Sequence, residues 1–242
     1  MIHEMETVNM QSWRAIKTHY YAGWTIRVSG GYSRRGNSVF THQFDDTESV
    51  DTAIECCETI YNKQDLPVIF RLTDATRPEN LGETLENWGY KKEEPSIVKT
   101  LDLTQELPDA HENVTVETRF SDTWLQDYMQ FNNVDPKLFE SHKGIISPMP
   151  DCYYGRIGDA ALGLAVKVGD WVSFYDIVVN PEKRGEGYGR FLMQSLMKQA
   201  QSTGAKTGIL SVGSDNPAAI KLYDNLGFES RYNYWYYRQQ RK

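Results

Sequence analysis

Residues Phe174 to Gln199 read FYDIVVNPEKRGEGYGRFLMQSLMKQ, a stretch that changes character twice. Its first part is apolar and β-branched, with Phe174, Ile177, Val178 and Val179, as a buried strand requires. Asn180-Pro181 breaks the run and a charged glycine turn follows. Tyr188, Phe191, Leu192, Leu196 and Ala200 then fall on one helical face. The stretch predicts strand, turn and helix, in that order.

Three glycines, Gly185, Gly187 and Gly189, alternate at the start of that helix. Glycine weakens a helix interior by about 1 kcal/mol, so a plain connection needs one glycine and an N-cap. Three predict close approach by a ligand. The free N–H groups of a first helical turn and the positive end of the helix dipole attract an anion, and Arg184 and Arg190 add charge beside them. A phosphate or pyrophosphate fits. The P-loop is excluded because no Lys follows these glycines at its spacing, and the dinucleotide fingerprint needs GxGxxG where this chain has GxGxG.

Arg184-x-x-Gly187-x-Gly189 after an apolar strand resembles the coenzyme A loop of the GNAT superfamily of acyl-CoA-dependent N-acyltransferases. A second stretch, Asn216 to Phe228 (NPAAIKLYDNLGF), is similar to that family's later helix, N-x-x-A-x-x-x-Y-x-x-x-G-F. It is also physically sound as a helix. Asn216 can cap it, Pro217 suits the first position, Ala219, Leu222, Tyr223 and Leu226 form a stripe, and Gly227 can close it in a left-handed conformation.

The resemblance implies acetyl-CoA as co-substrate, with Arg184, Gly185, Glu186, Gly187, Tyr188, Gly189 and Arg190 around its pyrophosphate and Asn216, Ala219 and Tyr223 beside it. It also implies that the backbone of Ile177, Val178 and Val179 bonds the pantetheine arm and polarises the thioester carbonyl.

Composition is compatible with such a protein. The chain has 242 residues, 40% hydrophobic and 24% charged, ordinary for a soluble protein and long enough for two small domains. No apolar run approaches the roughly 18 to 20 residues of a membrane span, and the start, MIHEMETVNM, lacks the pattern of a secretory signal, so a cytoplasmic protein without membrane contact is expected. A net charge of −7 argues against nucleic acid as a partner and suits a cationic acceptor such as an amine. Cys56, Cys57 and Cys152 form neither a disulfide framework nor a zinc spacing, and the five histidines lack HExxH or HxH spacing, so no metal is expected.

Upstream, a loose helical pattern runs from Thr7 to Tyr20, and a hairpin follows from Trp24-Thr25-Ile26-Arg27-Val28 through Gly30-Gly31 to Phe40. Residues 49–61 and 80–88 read as helices, and 67–72 and 96–103 as strands. The order repeats downstream as helix 187–202, strand 206–212, helix 217–226 and strand 231–238, and Asn87-Trp88-Gly89-Tyr90 matches Asn225-Leu226-Gly227-Phe228. Two unrelated α/β segments sharing a common helix stop would also give this match.

The tandem reading predicts an α/β (α+β) protein of two GNAT-like mixed-sheet domains, each with a mostly antiparallel sheet flanked by helices. Residues 1–105 form a degenerate GNAT-like domain and residues 112–242 the acetyltransferase domain. The first copy has Asp45-Asp46-Thr47-Glu48-Ser49-Val50-Asp51 where a phosphate loop would stand, so only the second is expected to bind coenzyme A.

A primary amine with a pKa of about 10 must lose a proton before it attacks a thioester, and the departing thiolate benefits from a nearby acid. By resemblance Tyr223 occupies the acid's position; packing in its helix stripe is the plain alternative. Asp176 lies on the cofactor strand where many members carry an acid, and is equally readable as a solvent-side or turn-supporting carboxylate. Arg34, Arg35 and Asn37 form either a solvated hairpin tip or an acceptor-carboxylate site, and Tyr128 on the helix capped by Ser121 completes the candidate substrate set.

The expected function is acetyl transfer from acetyl-CoA to a primary amine of a small molecule or peptide. A non-catalytic coenzyme A sensor or scaffold is the alternative.

Overall fold

The computed structural model describes residues 1–240. The first half runs α1 (Ile2–Ser12), β1 (Lys17–Tyr21), β2 (Trp24–Val28), β3 (Val39–Phe40), α2 (Val50–Asn62), β4 (Ile69–Leu72), α3 (Leu81–Asn87), β5 (Tyr90–Lys92) and β6 (Ser96–Asp102). The second runs β7 (Thr115–Glu117), α4 (Asp122–Phe131), α5 (Phe139–Ile146), β8 (Cys152–Ile157), β9 (Ala161–Val168), β10 (Trp171–Val179), α6 (Tyr188–Ser202), β11 (Thr207–Gly213), α7 (Pro217–Asn225) and β12 (Glu229–Gln239).

The strands form one mixed sheet in the order β1-β2-β3-β4-β12-β6-β11-β10-β9-β8-β7, with β5 also beside β12. All pairs are antiparallel except β3 with β4 and β10 with β11, one parallel pair in each half. The halves trade strands at the centre. β6 lies between β11 and the first part of β12, in register Thr207↔Asp102 and Tyr234↔Ser96. The later part of β12 lies between β4 and β5, with Arg238 opposite both Ile69 and Lys91. Each half thus completes the other's sheet, and no edge is left at the join.

The segment expected as a helix over Thr7 to Tyr20 differs. The helix is α1, which starts five residues earlier, and Lys17–Tyr21 is a strand hairpinned to β2 through Ala22 and Gly23, both at positive φ. The buried face of α1 is Met5, Glu6, Val8, Asn9 and Ser12, so an apolar stripe does not mark it.

Instead of covering its neighbours in sequence, α1 packs against β9 and β10 of the second half. A buried ion pair also ties it to β4 of the first half. Arg71 Nε on β4 donates to Glu6 Oε2 at 2.6 Å, and Tyr232 on β12 donates to Glu6 Oε1.

Two apolar layers sandwich the second half of the sheet. On one side α6 places Leu192, Met193, Leu196 and Met197 against Phe174, Leu210 and Phe228. On the other, α4 and α5 place Trp124, Leu125, Tyr128, Ile145 and Ile146 against Tyr154, Leu164 and Tyr175, joined by Trp13 from the end of α1. Each such side chain contributes roughly 1.5–3 kcal/mol by burial, enough to fix both helix layers on the strands between them.

Candidate active site

β10 and β11 pair over only three positions, Trp171↔Thr207 to Ser173↔Ile209. Past them β10 loses register with β9 between Tyr175 and Val178, and Asp176 takes a left-handed conformation at φ 52 to absorb the extra residue. The two parallel strands therefore part. A wedge opens between residues 174–179 and 210–213, flanked by strand edges that have no ladder partner there among the described residues.

At the end of β10 the chain turns into α6. Gly185 and Gly187 have φ of 87 and 86, conformations costly for any residue with a Cβ, and Gly187 is the N-cap of α6. Among the described residues, the backbone N–H groups of 184–189 donate to no protein acceptor. Gly189 serves packing: a Cβ there would sit 3.3 Å from Leu222 and 3.6 Å from Val179, closing α6 onto α7. Two of the three glycines thus shape the loop, and the third lets two helices touch. Glu186, Arg184 and Arg190 are exposed around this nest, and Tyr188 is half-buried.

α7 lies beside the wedge. Asn216 caps it by accepting from Ala219 N at 3.1 Å, so its side-chain oxygen is committed to the helix. Tyr223 is 8% exposed and packs edge-on to Phe228. Its hydroxyl has no hydrogen-bond partner among the described residues, and burial, opposed by the Arg35 charge, pushes its pKa up to about 12. A phenol so placed stays protonated at neutral pH and can donate.

On the other face, Asp176 Oδ2 lies 2.8 Å from His142 Nε2 on α5, and both side chains are almost wholly buried. Tyr32 stacks on the imidazole with ring centroids 3.7 Å apart, and its hydroxyl donates to Tyr128 at 3.3 Å. His142 Nδ1 is buried with no partner. The tautomer with its proton on Nε2 donates to Asp176 and leaves only a lone pair unsatisfied, so it costs less than the reverse.

Sequence reading missed His142, Tyr32, Trp13 and Tyr175. The one available signal is a histidine three residues before the buried Ile145-Ile146 pair, which is more often a core residue.

Where β11 ends, a cavity of about 710 Å³ opens between the halves. Ser211, Gly213 and Asn216 line it from the second half, and Arg34, Arg35 and Asn37 from the first. These last three differ in what they have left to offer. Asn37 Oδ1 accepts from the Ser29 and Gly31 amides at 2.7 and 3.0 Å and its Nδ2 donates to Ser33 O, so the carboxamide organises its own loop.

Arg34 is bonded to Glu93, which Arg238 also holds at 2.6 Å. Arg35 has no carboxylate partner among the described residues. Its guanidinium lies 5.9 and 5.5 Å from the Trp13 and Tyr175 rings. Arg27 is buried, donates to the carbonyls of Arg35 and Trp13, and so fixes this loop against the end of α1.

Among the described residues, no group of three or more His, Cys, Asp or Glu side chains is arranged to hold a metal, and no helix is long and apolar enough to cross a membrane.

The family described as "Probable histone acetyltransferase Rv0428c C-terminal" matches residues 1–237. The chain is 27% identical over 236 residues to the uncharacterized N-acetyltransferase YobR of Bacillus subtilis strain 168, covering 94% of each. Over 79 residues it is 35% identical to the [ribosomal protein bS18]-alanine N-acetyltransferase of Escherichia coli K12, covering 31% of this chain and 53% of that one. Its fold matches a GCN5-related N-acetyltransferase from Kribbella flavida with a TM-score of 0.70 at 15% identity, over 98% of this chain and 93% of that one. A match over all but the last five residues, joined to the splayed strands and the glycine nest, places the chain in the Rv0428c C-terminal family of GNAT acyltransferases.

Proposed function

We propose that this protein transfers an acetyl group from acetyl-CoA to a primary amine of a small molecule or peptide, using the half formed by residues 112–242. The observation that carries the reading is the continuity of the β10–β11 wedge with the unpartnered N–H groups of residues 184–189. Such a nest, with Arg184 and Arg190 beside it, suits a pyrophosphate, and the unpaired edge at Ile177, Val178 and Val179 suits an amide-bearing arm laid beside it as an added strand. Asn216 and Ala219, in the first turn of α7, complete the cofactor set by resemblance to the family.

This chain's residues then divide the proton work. Asp176, oriented by His142, takes a proton from the acceptor ammonium directly or through a water. The freed nitrogen lone pair forms the N–C bond to the thioester carbonyl, the C–S bond breaks, and the nitrogen's second proton passes to water or to the phenoxide left on Tyr223, so the amide leaves neutral. The Tyr223 hydroxyl gives its proton to the departing sulfur, whose conjugate acid is about as acidic as a cysteine thiol. Tyr128 and Tyr32 wall the acceptor side.

Residues 1–105 and 112–242 are two related units. Each has a single parallel strand pair and a helix that ends in glycine and an aromatic residue. The first unit's acidic Asp45–Asp51 segment leaves it a supporting role. The similarity to an enzyme named for a ribosomal-protein alanine supports an amine acceptor without naming this one.

Release of free thiol from acetyl-CoA in the presence of amino acids, polyamines and short peptides tests the reading. Thiol release matched by an equal amount of N-acetylated amine is expected. Acetyl-CoA binding without turnover of any amine would favour the sensor or scaffold instead.

A further inference from the structure

Three guanidiniums line the cavity between the halves, those of Arg34, Arg35 and Arg238. Glu93 is shared by two of them, accepting from Arg34 through Oε2 and from Arg238 through Oε1. Arg35 is left over. It is held in place by its backbone, where Arg27 Nη1 donates to its carbonyl at 2.7 Å, and by the Trp13 and Tyr175 rings under its guanidinium.

Its surroundings are phenols rather than carboxylates: Tyr234 and Tyr236 line the same cavity, and the Tyr175 ring lies 5.5 Å from its guanidinium. Asp176, whose charge also favours the guanidinium, is bonded to His142 instead. Neither Asp176 nor Tyr223 lines the cavity, but Arg35 does, and its guanidinium packs on Tyr175, the residue before Asp176. Asp215 is the cavity's one acidic liner, at the α7 end.

We propose that Arg35 is an anion subsite for the acceptor, and that the acceptor is a small amine bearing a carboxylate within a few bonds of its nitrogen, of the α-amino acid class. The inference rests on the acetyltransferase reading of the same site. An unpaired guanidinium in an aromatic-walled cavity gains a charge-assisted, fork-shaped pair with a carboxylate. Tyr32 lines the same cavity as Arg35 and stacks on His142, so an acceptor anchored by its carboxylate at Arg35 has the Asp176–His142 pair behind the adjoining wall to receive its ammonium proton. A zwitterion satisfies both ends at once, and a polyamine satisfies only one of them.

The test compares each of the twenty common L-amino acids with its carboxamide as acceptor, reading thiol release from acetyl-CoA on the full chain. At least one acid should be preferred over its amide by about a hundredfold in kcat/KM, the size expected of a bond between charged groups. In Arg35→Gln that ratio should collapse toward unity, with Arg35→Lys between the two, while Arg34→Gln keeps it.

The proposal is overturned if amides are used as well as acids, if no amino acid is acetylated although acetyl-CoA binds, or if a folded Arg35→Gln keeps the full preference. The comparison in the unaltered protein needs no variant, so a variant that misfolds does not blunt the test. Failure of the acetyltransferase reading looks different, because then no amine of any class, polyamines and peptides included, would release thiol from acetyl-CoA.

Discussion

His142 Nε2 on α5 stands 2.8 Å from Asp176 Oδ2 on the bulge of β10, joining an acceptor-side helix to the strand that opens the wedge. The bulge is what makes the pair. At φ 52 Asp176 leaves the alternation of β10 and turns its carboxylate toward α5. If this pair removes the acceptor proton, Asp176→Asn should lower kcat/KM at pH 7 by about 10²–10⁴-fold. The deficit should shrink as pH rises toward the acceptor amine's own pKa, because free amine then exists without a base. A pH–rate profile of wild type and variant checks this, and a deficit constant from pH 7 to 9.5 would count against a base at Asp176.

Tyr223 should matter for turnover and not for binding. Tyr223→Phe should lower kcat by about 10²-fold or more while acetyl-CoA affinity holds, since the hydroxyl has no structural partner to lose. Its pKa is raised to about 12, so the wild-type alkaline limb set by this group should lie above that of an ordinary phenol near pH 10.

The Glu6–Arg71 pair, which ties α1 to β4 within the first half, predicts an acid-sensitive fold. Burial alone would raise the Glu6 pKa, but the Arg71 charge and hydrogen bond, with help from His42 and Tyr232, bring it below its ordinary value near 4.5. A carboxyl lowered in the folded state stabilises fully above its unfolded pKa, and that stability is lost as pH falls through the folded value. Urea midpoints should therefore drop below about pH 4.5, and less steeply in Glu6→Gln. Glu6→Ala leaves the Arg71 charge buried without its partner and should cost about 3–5 kcal/mol at pH 7.

Strand exchange predicts that the halves do not fold apart. Residues 112–242 alone lack β6 from between β11 and β12, and residues 1–105 alone lack β12 from between β4 and β5. Each should give the broad, weakly dispersed NMR spectrum of an unpacked chain, and co-expression should restore a folded complex.

The strand, glycine turn and helix of residues 174–199 were legible because they are local. Strand, glycine turn and helix are consecutive, and Asn216 to Phe228 carries its own cap, stripe and stop, so residue spacing alone fixes the arrangement. The Asp176–His142 pair was not. Asp176 and His142 are 34 residues apart, and their meeting depends on a bulge and on the packing of α5.

Arg34 and Arg35 are adjacent in sequence and look equivalent; a glutamate 59 residues from Arg34 separates their roles. α1 was misplaced because Glu6, Asn9 and Ser12 sit on its buried face, where polarity normally signals solvent. The trading of β6 and β12 leaves no mark in either strand, because both are equally able to sit in a central position and only the tertiary arrangement selects the partner.

The central claim is a single acetyl-CoA site at the β10–β11 wedge and the 184–189 nest, and thermal unfolding with and without acetyl-CoA tests it most directly. At about 100 times Kd, ligand linkage is worth roughly 2.7 kcal/mol, or about 5–10 °C for a chain of this size. The account predicts that shift in the wild type and its loss in Gly187→Glu and in the exposed-charge variant Arg184→Glu, each folded without ligand. No shift at saturating acetyl-CoA, or an undiminished shift in both variants, would contradict it.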